Sequence, residues 1–291
     1  MKSGSLVTYI KSYIPPSLVS VVNSLSSKVD PVFISFYRLR TRWSKPIPPF
    51  DLRRITAKRA IDNYIKSGER IVNSFKEGLN SIGKDINEFG KILDFGCGAG
   101  RQIQYFYDYK TSKITGCDPN ADHIRWLSAN YPLASFYVSN FDPPLPFPDE
   151  HFDLVYSVSV FTHLSEKAQF NWLAELKRVL RPEGMALLTI LGEHAAESAD
   201  KNQSVRRDSN EPKSFCQALS QQKFLFYVPE SYRQVNKSIN PDSISDDDMY
   251  GITWHSQEYI VSNWNKYFEI VKIIPGCIDS LQDLVILRRL G

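Results

Sequence analysis

Asp94-Phe95-Gly96-Cys97-Gly98-Ala99-Gly100, a carboxylate followed by glycine at every second position, holds the residue types of this 291-residue chain best suited to ligand chemistry. It follows the apolar pair Ile92-Leu93, which reads as a strand end. Glycines carry no Cβ, so such a backbone can take positive φ and pass close beneath ligand atoms. A dinucleotide-binding turn needs G-x-G-x-x-G, but counted from Gly96 the sixth position is Arg101, which speaks against a nicotinamide cofactor. Further on, Lys113-Ile114-Thr115-Gly116-Cys117-Asp118 reads as a second strand ending in a carboxylate, 24 positions after Asp94. In nucleotide-binding α/β folds an acid at that point accepts hydrogen bonds from ribose hydroxyls.

The D-x-G-x-G-x-G spacing with Asp118 one βα unit later resembles motif I of the class I S-adenosylmethionine-dependent methyltransferases, a Rossmann-like family. The likeness covers residues 55–192 and 255–289. The final stretch, Ser256-Gln257-Glu258-Tyr259 through Gln282-Asp283-Leu284-Val285-Ile286-Leu287, resembles the tail of many bacterial small-molecule and sugar-type members. The resemblance implies S-adenosylmethionine as cofactor and a role for each matching residue. Asp94 would accept from the methionine ammonium, directly or through water, above the backbone of Gly96, Gly98 and Gly100. Asp118 would hold the ribose, with Pro119 and Asn120 beside the adenine. Asn140 and Phe141, after the third strand, would contact the adenine amine and ring. The family more often has aspartate where Asn140 stands, and an amide carbonyl can accept the same hydrogen bond. Ser157 and Val158, ending the fourth strand, would line the methionine end and face the acceptor. Each has a bland alternative: a helix-packing glycine at Gly100, core at Phe141, a plain turn at Asp118-Pro119-Asn120. Order and spacing over about 100 residues favour the cofactor reading jointly.

Methyl transfer needs alignment more than acid catalysis, because the sulfonium already activates the carbon. A hydroxyl acceptor must still lose its proton, and histidine is the usual agent. His163, in Ser159-Val160-Phe161-Thr162-His163-Leu164 just beyond the fourth strand, is the candidate base, with a structural hydrogen-bonding role as the alternative; His194 and His255 are weaker candidates. Asp142-Pro143-Pro144-Leu145 looks like the D/N-P-P-aromatic motif of nucleobase amino-methyltransferases. It precedes the fourth strand instead of following it, and Leu145 has no π face, so it reads as a stiff loop. The expected activity is methyl transfer to a small-molecule or glycan acceptor, at oxygen. The alternative is a module of this fold that binds cofactor or partner without transfer.

These residues need a scaffold. Alternation of Lys91–Phe95, a helix over 101–109, Lys113–Asp118, a helix over 121–130, Ala134–Ser139, Phe152–Ser159, a helix over 166–180 and Met185–Leu191 predicts a parallel sheet with helices on both faces. Strands at 268–274 and 283–288 complete the expected fold class: α/β, a Rossmann-like seven-stranded sheet, mostly parallel, with a C-terminal antiparallel hairpin. A long amphipathic helix between Ile55 and Ile82 leads into the first strand; its Tyr64 and Gly68 are candidates to roof the cofactor, packing on the sheet being the alternative. Residues 193–254, polar, then aromatic at Phe224-Leu225-Phe226-Tyr227, then acidic at Asp246-Asp247-Asp248, are expected to form a substrate-side cap inserted in the methyltransferase domain of 55–291.

Residues 1–54 are a separate basic extension of helices. Leu18, Val21, Val22, Leu25 and Val29 recur at helical spacing; Asp30-Pro31 then offers an N-cap and N1 proline for a second helix striped by Val32, Phe33, Phe36 and Tyr37. The net charge is only +3, too small to imply a nucleic-acid partner, but residues 1–60 carry +9 and the rest −6. An anionic membrane surface is therefore a candidate partner of this block, with capping of the site or subunit pairing as the alternative. Four cysteines without a C-x-x-C pair read as apolar filler in a reducing compartment, not metal ligands. No leader pattern and no run of ~20 apolar residues is present, so the expectation is a cytoplasmic chain, peripheral to a membrane if the basic block binds one.

Overall fold

The computed structural model describes residues 16–55, 60–107, 113–201, 211–229, 232 and 250–291. It divides into two compact units, residues 1–66 and 67–291.

In the first unit α1 (Pro16–Thr41) and α2 (Phe50–Ile55) precede α3 (Ile61–Asn80), which runs on into the second. The break expected at Asp30-Pro31 does not occur: α1 continues through Pro31. The reason lies in the side chain that should have capped it. Asp30 is buried and reaches across to pair with Arg53 and to accept from the Phe50 amide at 2.8 Å, so it cannot turn back onto its own helix. Tyr64 is buried in this unit beside Ile47 and Ile65.

The second unit is built on β1 (Lys91–Phe95), α4 (Ile103–Phe106), β2 (Lys113–Asp118), α5 (Ala121–Asn130), β3 (Ser135–Val138), β4 (Phe152–Ser157), α6 (Glu166–Val179) and β5 (Leu180–Ile190). Then come α7 (Glu193–Lys201), α8 (Phe215–Gln222), β6 (Phe224–Tyr227), β7 (Ile252–His255), α9 (Gln257–Trp264), β8 (Glu269–Ile278) and β9 (Gln282–Arg288). Seven strands form one sheet in the order β3-β2-β1-β4-β5-β9-β8. β1 to β5 pair in parallel, while β9 runs antiparallel to both β5 and β8, as the sequence predicts. Strand order reverses between β1 and β4, and ligands of open α/β sheets bind outside the carboxyl ends of the strands at that point.

The two-residue period of the strands decides what faces what. Ile92, Leu154 and Leu187 join Ile71, Phe75 and Leu79 of α3 on one face of the sheet. Leu93, Phe95 and Val155 join Trp172 and Leu176 of α6 and Trp264 of α9 on the other. Asp94 and Tyr156 share the parity of the first set, and the register sets them opposite one another.

The expected insertion contains α7, α8 and a small antiparallel sheet of β6 with β7, closed around Phe215, Leu219 and Trp254. The acidic run at 246–248 and the end of the helix expected to Tyr109 lie outside the described residues. The Asp142–Leu145 loop is bolted to α6: the Leu145 amide donates to Glu175 at 2.6 Å and Arg178 donates to its carbonyl.

Candidate active site

Asp94, the penultimate residue of β1, is almost completely buried and accepts a 2.9 Å hydrogen bond from the Tyr156 hydroxyl. Tyr156 is held there by ring contacts with Phe75 and Phe106. Burial pushes the Asp94 carboxyl up to about 8, with the Asp118 charge adding to the rise and the Tyr156 bond and Arg101 opposing it. A carboxylate in that position favours a ligand that brings its own positive charge.

The loop after Asp94 is shaped by its glycines. Gly96, Gly98 and Gly100 have φ of +78°, +51° and +78°. A Cβ on Gly96 would sit 2.4 Å from Val160, and one on Gly100 2.4 Å from Leu127. The amides of Gly96 and Cys97 both donate to the Cys117 carbonyl, which joins the loop to the end of β2. Gly68 serves the same joint from α3, since its Cβ would strike the Arg101 carbonyl.

Asp118 closes the loop from the other side. Its Oδ2 accepts from the Gly98 amide at 2.8 Å and its Oδ1 from the Asn120 amide at 2.9 Å, with His123 Nδ1 at 3.4 Å. A carboxylate offers about four acceptor positions, so capacity for ribose hydroxyls remains. Pro119 is half-buried beside it. Asn120 caps α5, its carboxamide oxygen accepting from the amides of Asp122 and His123. Asn140 and Phe141 are exposed on the loop after β3, and the Phe141 carbonyl accepts from the Trp172 indole. Ser157 is fully buried and donates to the Phe95 carbonyl at 2.9 Å, tying β4 to β1. Val158, half-buried, follows it.

His163 lies in the loop after β4 and is clamped to the backbone just before β7. Its Nδ1 is 2.8 Å from the Gly251 carbonyl, and its own carbonyl accepts from the Gly251 amide at 2.8 Å. A carbonyl can only accept, so Nδ1 carries the proton and the Nε2 lone pair is left with no hydrogen-bonding partner among the described residues. Burial lowers the pKa of the imidazole, with the Gly251 bond pulling the other way. Tyr250 and Tyr232 lie nearly parallel to the ring, at 4.8 and 5.7 Å between centroids. Asp118 is close enough for its charge to raise the Tyr250 hydroxyl, in addition to the larger effect of burial.

The other histidines do different work. His255 is fully buried, donates from Nε2 to Gln169 at 2.8 Å, and is pushed down to about 3 by burial, so it stays neutral. His194 is exposed and covers Gly276. Both leave the candidate list. Tyr156, His123, Tyr232 and Tyr250 belong to no motif in the sequence; for Tyr156 it is the register, opposite Asp94, that brings it to the site. Among the described residues no group of three His, Cys, Asp or Glu is placed to hold a metal.

These residues fit S-adenosylmethionine: an ammonium would favour the ionised form of the buried Asp94, and the positive-φ glycines leave a loop without Cβ atoms beside the acceptor Asp118. Residues 93–188 match the family described as a methyltransferase domain. The phosphoethanolamine N-methyltransferase of Plasmodium falciparum is 24% identical over 213 residues, covering 72% of this chain and 69% of that protein. The 2-methyl-6-phytyl-1,4-hydroquinone methyltransferase of Synechocystis sp. is 33% identical over 100 residues, 33% of this chain and 30% of that protein. The PH0226 protein of Pyrococcus horikoshii shares the fold with a TM-score of 0.53 at 16% identity, over 79% of this chain and 97% of that one. The chain thus carries a methyltransferase domain over residues 93–188, on a fold of the class I S-adenosylmethionine-dependent type.

Proposed function

We propose that the enzyme methylates a hydroxyl of a ring-bearing small molecule or glycan, with His163 as the base. S-adenosylmethionine supplies a methyl group already activated on sulfur. Asp94 would hold its ammonium and Asp118 its ribose, with the glycine loop supplying the backbone beside them. The observation that carries the reading is the fixed tautomer of His163, whose Nε2 lone pair stands ready at the carboxyl edge of the sheet. A neutral amine needs no base before it attacks, whereas a hydroxyl benefits from losing its proton in the transition state. The near-parallel Tyr232, Tyr250 and His163 rings offer a flat surface against which a ring can lie. The relatives' names differ, one citing a nitrogen and the other a hydroquinone, so the acceptor is argued from this chain's own residues.

The test is incubation with methyl-labelled cofactor and a fractionated metabolite and glycan extract, followed by fragmentation of the labelled product. An O-methyl product is expected, and His163→Ala is expected to lower kcat roughly 10²- to 10⁴-fold while S-adenosylhomocysteine affinity stays within about twofold. A product methylated at nitrogen or carbon, or a His163→Ala variant with undiminished kcat, overturns the reading.

A further inference from the structure

The structure turns an apolar stripe of α1 outward. Val32, Phe33 and Phe36, whose spacing makes an apolar stripe, are 69%, 59% and 61% exposed, and Leu25, Val29 and Leu39 are 57%, 45% and 82% exposed. At 100° per residue these six side chains occupy one arc of about 120°. The opposite arc carries Asp30, Ile34 and Tyr37, which pack within the N-terminal unit against Arg53 and the cluster of Ile47, Tyr64 and Ile65. The helix thus has two apolar faces and its own unit covers one.

Charge decides what the other face suits. Lys28 lies at the edge of the exposed arc and Arg40 within it, with Arg38 and Arg42 near the same C-terminal end, all four exposed. The one acidic residue of α1, Asp30, is buried in its ion pair with Arg53. A second copy laid against this face would bring basic residues together with no exposed acid on either helix to pair them. A bilayer interface with anionic headgroups supplies both requirements: an acyl boundary for Phe33 and Phe36, and negative charge for Lys28 and Arg40. Among the described residues no helix is long and apolar enough to cross a membrane, so the geometry is that of a helix lying in the interface.

We propose that the exposed face of α1 docks the enzyme on an anionic lipid surface. The test is co-sedimentation of the full chain with phosphatidylcholine vesicles containing about a third phosphatidylserine, and with phosphatidylcholine alone. Wild type is expected to pellet with the anionic vesicles, to stay largely in solution with the neutral ones, and to be released by high salt. Phe33→Ser/Phe36→Ser tests the apolar contribution and Lys28→Glu/Arg40→Glu the electrostatic one; each pair is expected to weaken binding roughly tenfold or more. All these side chains are exposed, and unchanged circular dichroism and S-adenosylhomocysteine affinity verify that the variants fold. Wild type that does not pellet, or that pellets as well as both variants, overturns the proposal. So does a particle of twice the chain mass that Phe33→Ser/Phe36→Ser splits while vesicles capture nothing, which would assign the face to a second copy.

Discussion

In the free protein the fold favours Asp94 as a neutral acid, whereas a cationic ligand favours it ionised. Its carboxyl ionises near 3.8 in an unfolded chain and only at about 8 in place, so the folded state binds its proton more tightly. Folding stability therefore falls as pH rises from about 4 to 8 and changes no further above that. Asp94→Asn removes the charge and keeps an oxygen to accept from Tyr156. At pH 8 without ligand the variant is expected to gain on the order of 2 kcal/mol, roughly 4–8 °C in Tm at this chain length. The same change should weaken S-adenosylhomocysteine binding roughly 10- to 100-fold, since a hydrogen-bonded charge pair is lost. Thermal melts and calorimetry check the two halves together. A less stable variant, or one that binds as well as wild type, contradicts the account. Asp118→Ala should weaken binding without the gain in Tm, because it leaves the amides of Gly98 and Asn120 without their acceptor.

At the level of elements, the site was legible where its causes are local. Glycine spacing, the carboxylate ending β2 and the alternation of strands and helices follow from the chain's own periodicity, and the seven-stranded sheet formed as they predict. Features made by pairing distant segments were not legible. β6 and β7 are separated by 24 residues, so nothing in either announces the other, and the clamp between Gly251 and His163 was invisible with them. Asp30 misled for a related reason: its cap signal is local, whereas the Phe50 amide and Arg53 that claim it lie 20 and 23 positions away. The clamp yields its own prediction. A Cβ on Gly251 would lie 2.5 Å from the Tyr227 carbonyl and 2.7 Å from the Phe226 ring, so Gly251→Ala must shift the backbone that holds His163. Because that backbone makes both hydrogen bonds to His163 and, among the described residues, none to Asp94 or the glycine loop, the variant is expected to lose about tenfold or more in kcat while cofactor KM changes little. Loss of cofactor binding in step with kcat would show instead that the cap as a whole had come away.

Over the whole molecule, two buried groups tilt stability in opposite directions with pH. His255, near 6.5 when unfolded and about 3 in place, binds its proton more readily in the unfolded chain. Its contribution is fully present above pH 6.5 and is lost as pH falls towards 3, the reverse of the slope from Asp94. Between pH 4 and 6.5 the two oppose each other. Asp283, pushed up to about 6 by burial, adds to the Asp94 slope in that range and has largely titrated by pH 6.5. As pH approaches 8 the other two groups are nearly finished titrating and Asp94 dominates, so its slope should lower the stability of the unliganded enzyme. A bound ammonium beside Asp94 lowers its pKa and removes that slope. At a fixed saturating concentration of S-adenosylhomocysteine, the rise in Tm should therefore be larger at pH 8 than at pH 6.5, by several degrees. In Asp94→Asn the difference between the two pH values should vanish. Melting curves with and without ligand at both pH values measure it, and an equal ligand-induced rise at the two would mean that Asp94 does not meet the ligand's charge.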